Sequence, residues 1–122
     1  MPNVLIADES DAIRTIGALI LTGLGFNVSE SSGALDVFAR CEADLPDVLV
    51  IDSALHGALD VIRNIRALPN GNAVHIFYSV AKADLRILME AKLAGASDVL
   101  LKPFDRKVLS AVFANIAASA AA

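Results

Sequence analysis

The sequence predicts one α/β domain in which helices cover both faces of a parallel β-sheet. Residues 4–7 and 48–51 form short apolar segments, and such segments are typical of strands that are buried on both sides. Five strand-like segments alternate with five helical ones, and short connections join them. A strand followed by a helix and a second strand normally pairs in parallel, with the helix packed on the sheet.

The first strand and its helix occupy residues 4–24. Ser10 is placed to cap this helix, and Gly25 supplies the left-handed residue that ends it. Apolar residues recur along the helix at spacings of three and four, which predicts its buried face. These residues are Ile13, Ile16, Ile20 and Leu24.

The second strand is predicted to lie at an edge of the sheet. Residues 26–30 alternate between apolar and polar side chains, as a half-exposed strand does. Ser31 or Ser32 is expected to begin the second helix, and Pro46 closes the loop after it. The predicted buried stripe of this helix consists of Leu35, Phe38 and Ala39.

Caps, glycines and prolines mark the remaining boundaries. Strands are predicted at residues 48–51, 74–78 and 98–101, and helices at residues 59–68, 84–94 and from Asp105 onward. Pro69, Asn70 and Gly71 end the third helix. Asp84 caps the fourth helix and Gly95 ends it. On the last helix the predicted inner residues are Val108, Val112 and Ile116, with Leu109 and Phe113 beside them.

Composition and charge exclude several classes of protein. The chain is 56% hydrophobic, yet no stretch reaches the length of about 18 to 20 apolar residues that a membrane helix needs. We expect no signal peptide, because no basic segment precedes an apolar one at the N-terminus. A net charge of −4 argues against a nucleic-acid surface. The single Cys41 suits a reducing cytoplasm. We expect one cytoplasmic domain at residues 1–118, with a frayed tail at residues 119–122.

Polar side chains follow the strands at the points where they end. Asp8 and Glu9 follow the first strand, and Asp52 ends the third. Ser79 follows the fourth strand, and Lys102 follows the fifth. Open α/β sheets place their chemistry outside the carboxyl ends of the strands, so these residues form the candidate site. A carboxylate that ends a strand as apolar as residues 48–51 needs partners.

This arrangement resembles the receiver domain of bacterial two-component response regulators, over almost the whole chain. The resemblance rests on Asp8 and Glu9, on Asp52, on Ser79, on Gly95 and Ala96, and on Lys102, Pro103 and Phe104. It implies a flavodoxin-like (βα)5 three-layer sandwich, with a five-stranded parallel sheet in the order 2-1-3-4-5.

The resemblance also implies a chemistry for the site. Asp52 is expected to take a phosphoryl group from a phosphohistidine, with Ser79 and Lys102 contacting that group. Crowded carboxylates favour a hard divalent cation, most simply Mg²⁺. The implied metal ligands are Asp8, Glu9, Asp52 and the backbone carbonyl of Ala54.

The sequence departs from the family pattern in the loop after Asp52, at Val99 and at Val80, where the family commonly has a small residue. The loop after Asp52 is about two residues shorter than usual and carries His56, which we expect to be exposed. Val99 stands where the family usually has an aromatic switch residue, so the family's coupling is weakened or rerouted. Tyr78 could substitute for it or could simply pack.

These features predict a single-domain response regulator that is phosphorylated by a histidine kinase or a histidine phosphotransfer protein. It would signal through an unknown protein target, as a monomer or a weak homodimer, and would catalyse only its own phosphoryl transfer and dephosphorylation. The alternative is a receiver-like interaction module that works without phosphorylation. A flavodoxin-like cofactor binder lacks the phosphate loop that it would need. A metal-dependent phosphatase would have little chain for a substrate cap. The chain could also be a receiver cut from a longer protein.

Overall fold

The computed structural model describes residues 2–121, with side chains through residue 116. The strands are β1 (Asn3–Ala7), β2 (Asn27–Ser31), β3 (Val48–Asp52), β4 (His75–Val80) and β5 (Asp98–Leu101). The helices are α1 (Asp11–Gly23), α2 (Ala34–Ala43), α3 (Ala58–Ala67), α4 (Leu85–Ala94) and α5 (Arg106–Ala121). A short 3₁₀ turn, Gly71–Ala73, precedes β4. The predicted tail at residues 119–122 falls where the side chains lie outside the described residues, so its fraying stays a prediction.

The five strands form one parallel sheet in the order β2-β1-β3-β4-β5. This order confirms the predicted flavodoxin-like sandwich, with β2 at an edge. Helices α1 and α5 pack on one face, and α2, α3 and α4 pack on the other. In the part of the chain described here, no helix combines the length and apolar character that a membrane crossing requires.

The inner strands β1, β3 and β4 send alternate residues into two separate cores. On β3, Val48 and Val50 belong to the core under α1 and α5, whereas Leu49 and Ile51 belong to the core under α2, α3 and α4. This alternation follows from the period of two along a strand. All five residues of β3 are buried, including Asp52 at its carboxyl end.

The predicted helix caps are confirmed. The side chain of Ser10 accepts a hydrogen bond from the Ile13 amide, and that of Asp84 accepts one from the Ile87 amide. Gly25 and Gly95 have positive φ angles of 99° and 113°. A residue in this left-handed conformation commonly ends an α-helix. Strand β4 extends beyond the predicted residues 74–78, so Ser79 lies within the strand rather than after it.

The predicted buried face of α1 is wrong at one position. Ile16 is 53% exposed, whereas Gly17 and Leu21 are buried. A Cβ atom on Gly17 would lie 3.1 Å from Cδ1 of Ile6. The helix therefore approaches β1 most closely at its glycine, and Ile16 is turned outward.

The predicted stripe of α2 is also wrong in part. Leu35 is 90% exposed and Ala39 is exposed, while Val37 and Cys41 fill the core and Phe38 packs against it. The helix begins after Gly33, later than predicted, because Ser31 still belongs to β2. Burial raises the pKa of the Cys41 thiol to about 11, so this side chain is neutral at physiological pH.

On α5 the inner side is centred one residue further along than predicted. Leu109 and Phe113 are fully buried, whereas Val108 is 40% exposed. Val112 and Ile116 pack at the margin of the core. The ring of Phe113 contacts both Phe26 and Phe77, with ring centroids 5.3 Å apart in each case. This aromatic cluster attaches α5 to the sheet.

Candidate functional site

Four predicted site residues converge at the carboxyl edge of the sheet. Asp52 pairs directly with Ser79 across β3 and β4, and Lys102 and Asp8 follow β5 and β1. All four continue the alternation of the residues that face α1 and α5, which include Ile6, Val50, Phe77 and Leu100. Strand phase therefore brings these side chains to the same face of the sheet. Glu9 comes one residue later than Asp8 and is exposed.

A lysine lies between two buried carboxylates. Nζ of Lys102 is 2.6 Å from Oδ1 of Asp52 and 3.5 Å from Oδ2 of Asp8. Each aspartate is only 4% exposed, and the lysine side chain is 17% exposed. Burial alone would lower the pKa of Lys102. The hydrogen bond and charge of Asp52, together with those of Asp8, outweigh burial and raise this pKa above its usual value. The lysine is therefore charged at neutral pH.

Loop amides hold the outer oxygens of the two carboxylates. The amide of Ser10 donates to Oδ1 of Asp8 at 2.9 Å, and the amide of Ala54 donates to Oδ2 of Asp52 at 3.2 Å. Each carboxylate is thus oriented by the loop that follows its own strand. This arrangement fixes the direction of the inner oxygens toward Lys102.

Two polar atoms at the centre of the site lack an aligned hydrogen bond among the described residues. They are Oγ of Ser79 and Oδ1 of Asp52, and both are buried. Oδ1 of Asp52 nevertheless lies 2.6 Å from Nζ of Lys102 and is paired with its charge, so only the Ser79 hydroxyl has no close partner among the described residues. Buried hydroxyl groups nearly always have a partner, so the Ser79 hydroxyl is available to hydrogen-bond with a group from outside the described chain.

The loop after Asp52 spans residues 53–57 and forms compact turns. The amide of Ser53 donates to the Ser79 carbonyl at 2.8 Å, and the amide of Leu55 donates to the Asp52 carbonyl at 3.1 Å. Gly57 has a φ of 82° and leads directly into α3. His56 is exposed, as predicted. The loop therefore closes on β4 beside the site.

The residues present fit a divalent cation by charge and by donor type. Asp8 and Asp52 offer carboxylate oxygens, and Lys102 neutralises only one of their two negative charges. Across residues 2–121, no three His, Cys, Asp or Glu side chains are gathered for one metal ion. The remaining predicted ligands are the exposed Glu9 and the backbone carbonyl of Ala54, and their roles stay predictions.

Tyr78 lies on the opposite phase of β4 from Ser79. It pairs across the strands with Val99, and it is 6% exposed in the core under α2, α3 and α4. Burial raises the pKa of its hydroxyl, and the charges of Glu90 and Asp52 raise it further. Tyr78 thus places an aromatic ring on β4, directly across from the non-aromatic Val99 on β5.

Arg14 lies beside the site and was not predicted from the sequence. Its side chain is 13% exposed, and Nη1 donates to the backbone carbonyl of Asp8 at 2.5 Å. The only sequence signal was an acid–base pair at i and i+3 with Asp11, which on a helix usually marks a solvated face.

Most of the chain matches a known protein family. A model of the response regulator receiver domain family matches residues 4–114. The transcriptional regulatory protein CseB of Streptomyces coelicolor is 33% identical over 109 residues, which are 89% of this chain and 46% of that protein. The chain thus spans about half the length of the curated relatives it matches.

Solved structures match over nearly the full length. The chemotaxis protein CheY4 of Vibrio cholerae superimposes with a TM-score of 0.89 at 21% identity, over 95% of this chain and 98% of that one, which is a likeness of fold. The receiver domain of the sensor histidine kinase PA1611 of Pseudomonas aeruginosa has a TM-score of 0.84 at 26% identity, over 93% and 95% of the two chains. That structure has a magnesium ion coordinated in its active site cleft.

Proposed function

The chain belongs to the response regulator receiver domain family, and from that premise we propose that it accepts a phosphoryl group on Asp52. The observation that carries the proposal is the buried Asp52 carboxylate, in contact with Lys102 and beside the unpartnered hydroxyl of Ser79. A nucleophile, a fixed cation and a free hydrogen-bond donor are the groups that phosphoryl transfer requires.

In the proposed reaction a carboxylate oxygen of Asp52 attacks the phosphorus of a phosphohistidine. The P–N bond breaks, and its electron pair stays on the histidine nitrogen. The product is an aspartyl phosphate. Lys102 would bind a phosphoryl oxygen, and the Ser79 hydroxyl would donate a hydrogen bond to another. The ammonium group of Lys102 contacts Asp52 directly. During the attack this ammonium group must therefore also contact the incoming phosphoryl group.

We propose that Mg²⁺ binds on the acidic side of the site. Asp8 and Asp52 would hold it, with Glu9 and the Ala54 carbonyl as further ligands. Bound Mg²⁺ would offset negative charge on the transferring phosphoryl group. The surplus negative charge around Lys102 supports this assignment, as does the magnesium site of the PA1611 receiver domain.

The proposed donor is a histidine kinase or a histidine phosphotransfer protein in the cytoplasm. The output would be phosphorylation-dependent contact with a partner protein in a phosphorelay. The relative CseB is a transcriptional regulatory protein of about twice this length. The output of CseB therefore does not identify the partner protein of this chain. The protein would catalyse only its own phosphorylation and dephosphorylation.

Incubation with acetyl phosphate tests the proposal without a cognate kinase. We expect intact-mass spectrometry to show the addition of one phosphoryl group that requires Mg²⁺ and is removed by hydroxylamine, as an acyl phosphate should be. Asp52→Asn should abolish the addition while the protein stays folded. Mg²⁺-dependent phosphorylation that persists in Asp52→Asn would contradict the assignment of Asp52. A folded protein that resists several small donors would favour the phosphorylation-independent interaction module.

Ser79→Ala should separate the ligand role of the hydroxyl from its role in folding. The hydroxyl has no partner in the described structure, so its removal should leave the free energy of unfolding unchanged or raise it by up to about 1 kcal/mol. Affinity for beryllofluoride, which imitates the phosphoryl group, should fall about tenfold because a hydrogen bond to a charged group is lost. Urea titration and fluorine NMR measure the two effects.

Ser97→Ala is the matched control. Its hydroxyl accepts a hydrogen bond from the Ile76 amide at 2.9 Å and lies 3.2 Å from Nη2 of Arg66. This variant should therefore lose about 1 kcal/mol of stability and keep its beryllofluoride affinity. If Ser79→Ala instead behaves like Ser97→Ala, the hydroxyl of Ser79 has a structural role only.

A further inference from the structure

We infer that Arg14 is a positioning residue for the acidic side of the site: it holds the loop between β1 and α1, and so fixes Asp8. This inference rests on the proposed function, since it concerns the same cation site. Arg14 lies on the first turn of α1, six residues after Asp8. Its guanidinium contacts two acidic side chains and one backbone carbonyl.

The three contacts tie together the loop, the helix and the neighbouring strand. Nη1 donates to the carbonyl oxygen of Asp8 at 2.5 Å. Nη2 pairs with the carboxylate of Asp11 on the same helix. Nε is 3.5 Å from Oε1 of Glu30, which belongs to β2. One side chain therefore connects the loop after β1, the helix α1 and the strand β2.

Burial shows which of these contacts matters most. Asp11 is 91% exposed and Glu30 is 42% exposed, and exposed ion pairs of this kind contribute little to stability. The Arg14 side chain as a whole is 13% exposed, and the partner of its guanidinium in the interior is the Asp8 carbonyl. A hydrogen bond from a charged donor to a carbonyl is stronger than one between neutral groups. The ion pairs thus aim the guanidinium, and the carbonyl contact holds the loop.

The loop that Arg14 holds carries the carboxylate of Asp8. The Asp8 amide donates to the Ser31 carbonyl at 3.1 Å, and Oδ1 of Asp8 accepts from the Ser10 amide at 2.9 Å. The Arg14 contact supplies the third attachment, on the carbonyl. With all three in place, the Asp8 side chain points toward Lys102. Without Arg14, the backbone carbonyl of Asp8 loses its hydrogen-bond partner within the described chain. The loop between β1 and α1 then becomes more mobile.

Arg14 does not contact Asp52 or Lys102, so its effect on the site must pass through Asp8. Groups that orient a metal ligand typically change metal affinity by 10- to 100-fold when removed. We place Arg14 at the lower end of this range because it acts on the backbone of Asp8 and not on its carboxylate. The expected loss of Mg²⁺ affinity in Arg14→Ala is about tenfold.

A Mg²⁺ titration followed by amide NMR shifts tests this inference. Arg14→Ala should raise the Kd for Mg²⁺ about tenfold, and Arg14→Lys should recover part of the loss because it keeps the charge and one donor. Arg40→Ala is the matched control, since Arg40 forms an exposed helix ion pair with Asp36 at 2.8 Å on α2, away from the site. All Kd values are measured where urea titration shows each variant to be folded.

Equal Mg²⁺ affinity in wild type and Arg14→Ala would overturn the inference, and so would tighter binding in the variant. Hydrogen exchange at the amides of Asp8 and Ser10 supplies a readout that does not need the metal. It should be several-fold faster in Arg14→Ala than in Arg40→Ala. If wild type binds no Mg²⁺, the proposed function fails, and the exchange rates still decide whether Arg14 holds the loop. If Arg14→Ala does not fold, Arg14→Lys and Arg14→Gln carry both measurements.

Discussion

Lys102→Met is expected to lower the free energy of unfolding by about 3 kcal/mol and to abolish stable beryllofluoride binding. Methionine fills much of the same space, but it leaves Asp8 and Asp52 buried side by side with no cation. Removing one partner of a buried ion pair is costly because the remaining charges are neither solvated nor paired. Urea titration at pH 7 and fluorine NMR measure the two effects.

The pH dependence gives this prediction a second test. Because the folded pKa of Lys102 is raised, the lysine stabilises the fold fully below the ordinary lysine range of about 10.4, and this contribution is lost as pH rises through the folded value. The stability gap between wild type and Lys102→Met should therefore persist from neutral pH to about pH 10 and shrink above it.

Lys107→Met is the control for Lys102→Met, because Lys107 is exposed on the first turn of α5. It should change stability by no more than about 0.5 kcal/mol. A Lys102→Met protein that is as stable as wild type at pH 7 would show that the lysine does not stabilise the two carboxylates.

Gly71→Ala is the second substitution with a large expected effect, a loss of about 3 kcal/mol or more in the free energy of unfolding. A Cβ atom on Gly71 would lie 1.9 Å from the carbonyl oxygen of Ile65, which is backbone and cannot move aside cheaply. The carbonyl of Gly71 also accepts from Nη1 of Arg66 at 2.6 Å. Displacing this turn would disturb both the end of α3 and the start of β4.

Gly33→Ala is the matched control for Gly71→Ala. A Cβ atom on Gly33 would have no neighbour within 4 Å, and its φ of −148° is extended backbone that alanine adopts freely. Urea titration should show a change of no more than about 0.5 kcal/mol for this variant. Equal destabilisation by the two substitutions would show that the close approach to Ile65 does not limit position 71.

The strands and the ends of the helices could be predicted because local chemistry determines them. Residues 98–101 were predicted with the bounds that β5 has, and Ser10, Gly25, Asp84 and Gly95 all act at the helix ends as expected. The inner faces of helices were harder to predict, because packing against the sheet, and not the local sequence, decides which side chains face inward. Leu35 was therefore placed inside, whereas Val37 is the buried residue.

The grouping of four candidate residues was predictable, but the contacts among them were not. Asp8, Asp52, Ser79 and Lys102 could be grouped because parallel strands end at one edge. The ion pair between Lys102 and Asp8 joins residues 94 positions apart, and no local pattern encodes its distance. Arg14 was missed for a related reason: its main partner is a backbone carbonyl, which has no residue type to recognise. Strand phase was the unused signal, and it separates the buried Asp8 from the exposed Glu9.

Fluorine NMR of beryllofluoride binding tests the central claim most directly, because it needs no cognate kinase. Spectra are recorded on wild type and Asp52→Ala, each with and without Mg²⁺. We predict a bound signal that appears only with wild type and only when Mg²⁺ is present. Absence of a bound signal from folded wild type in the presence of Mg²⁺, or a signal that persists in Asp52→Ala, would contradict the assignment of Asp52 as a phosphoryl acceptor.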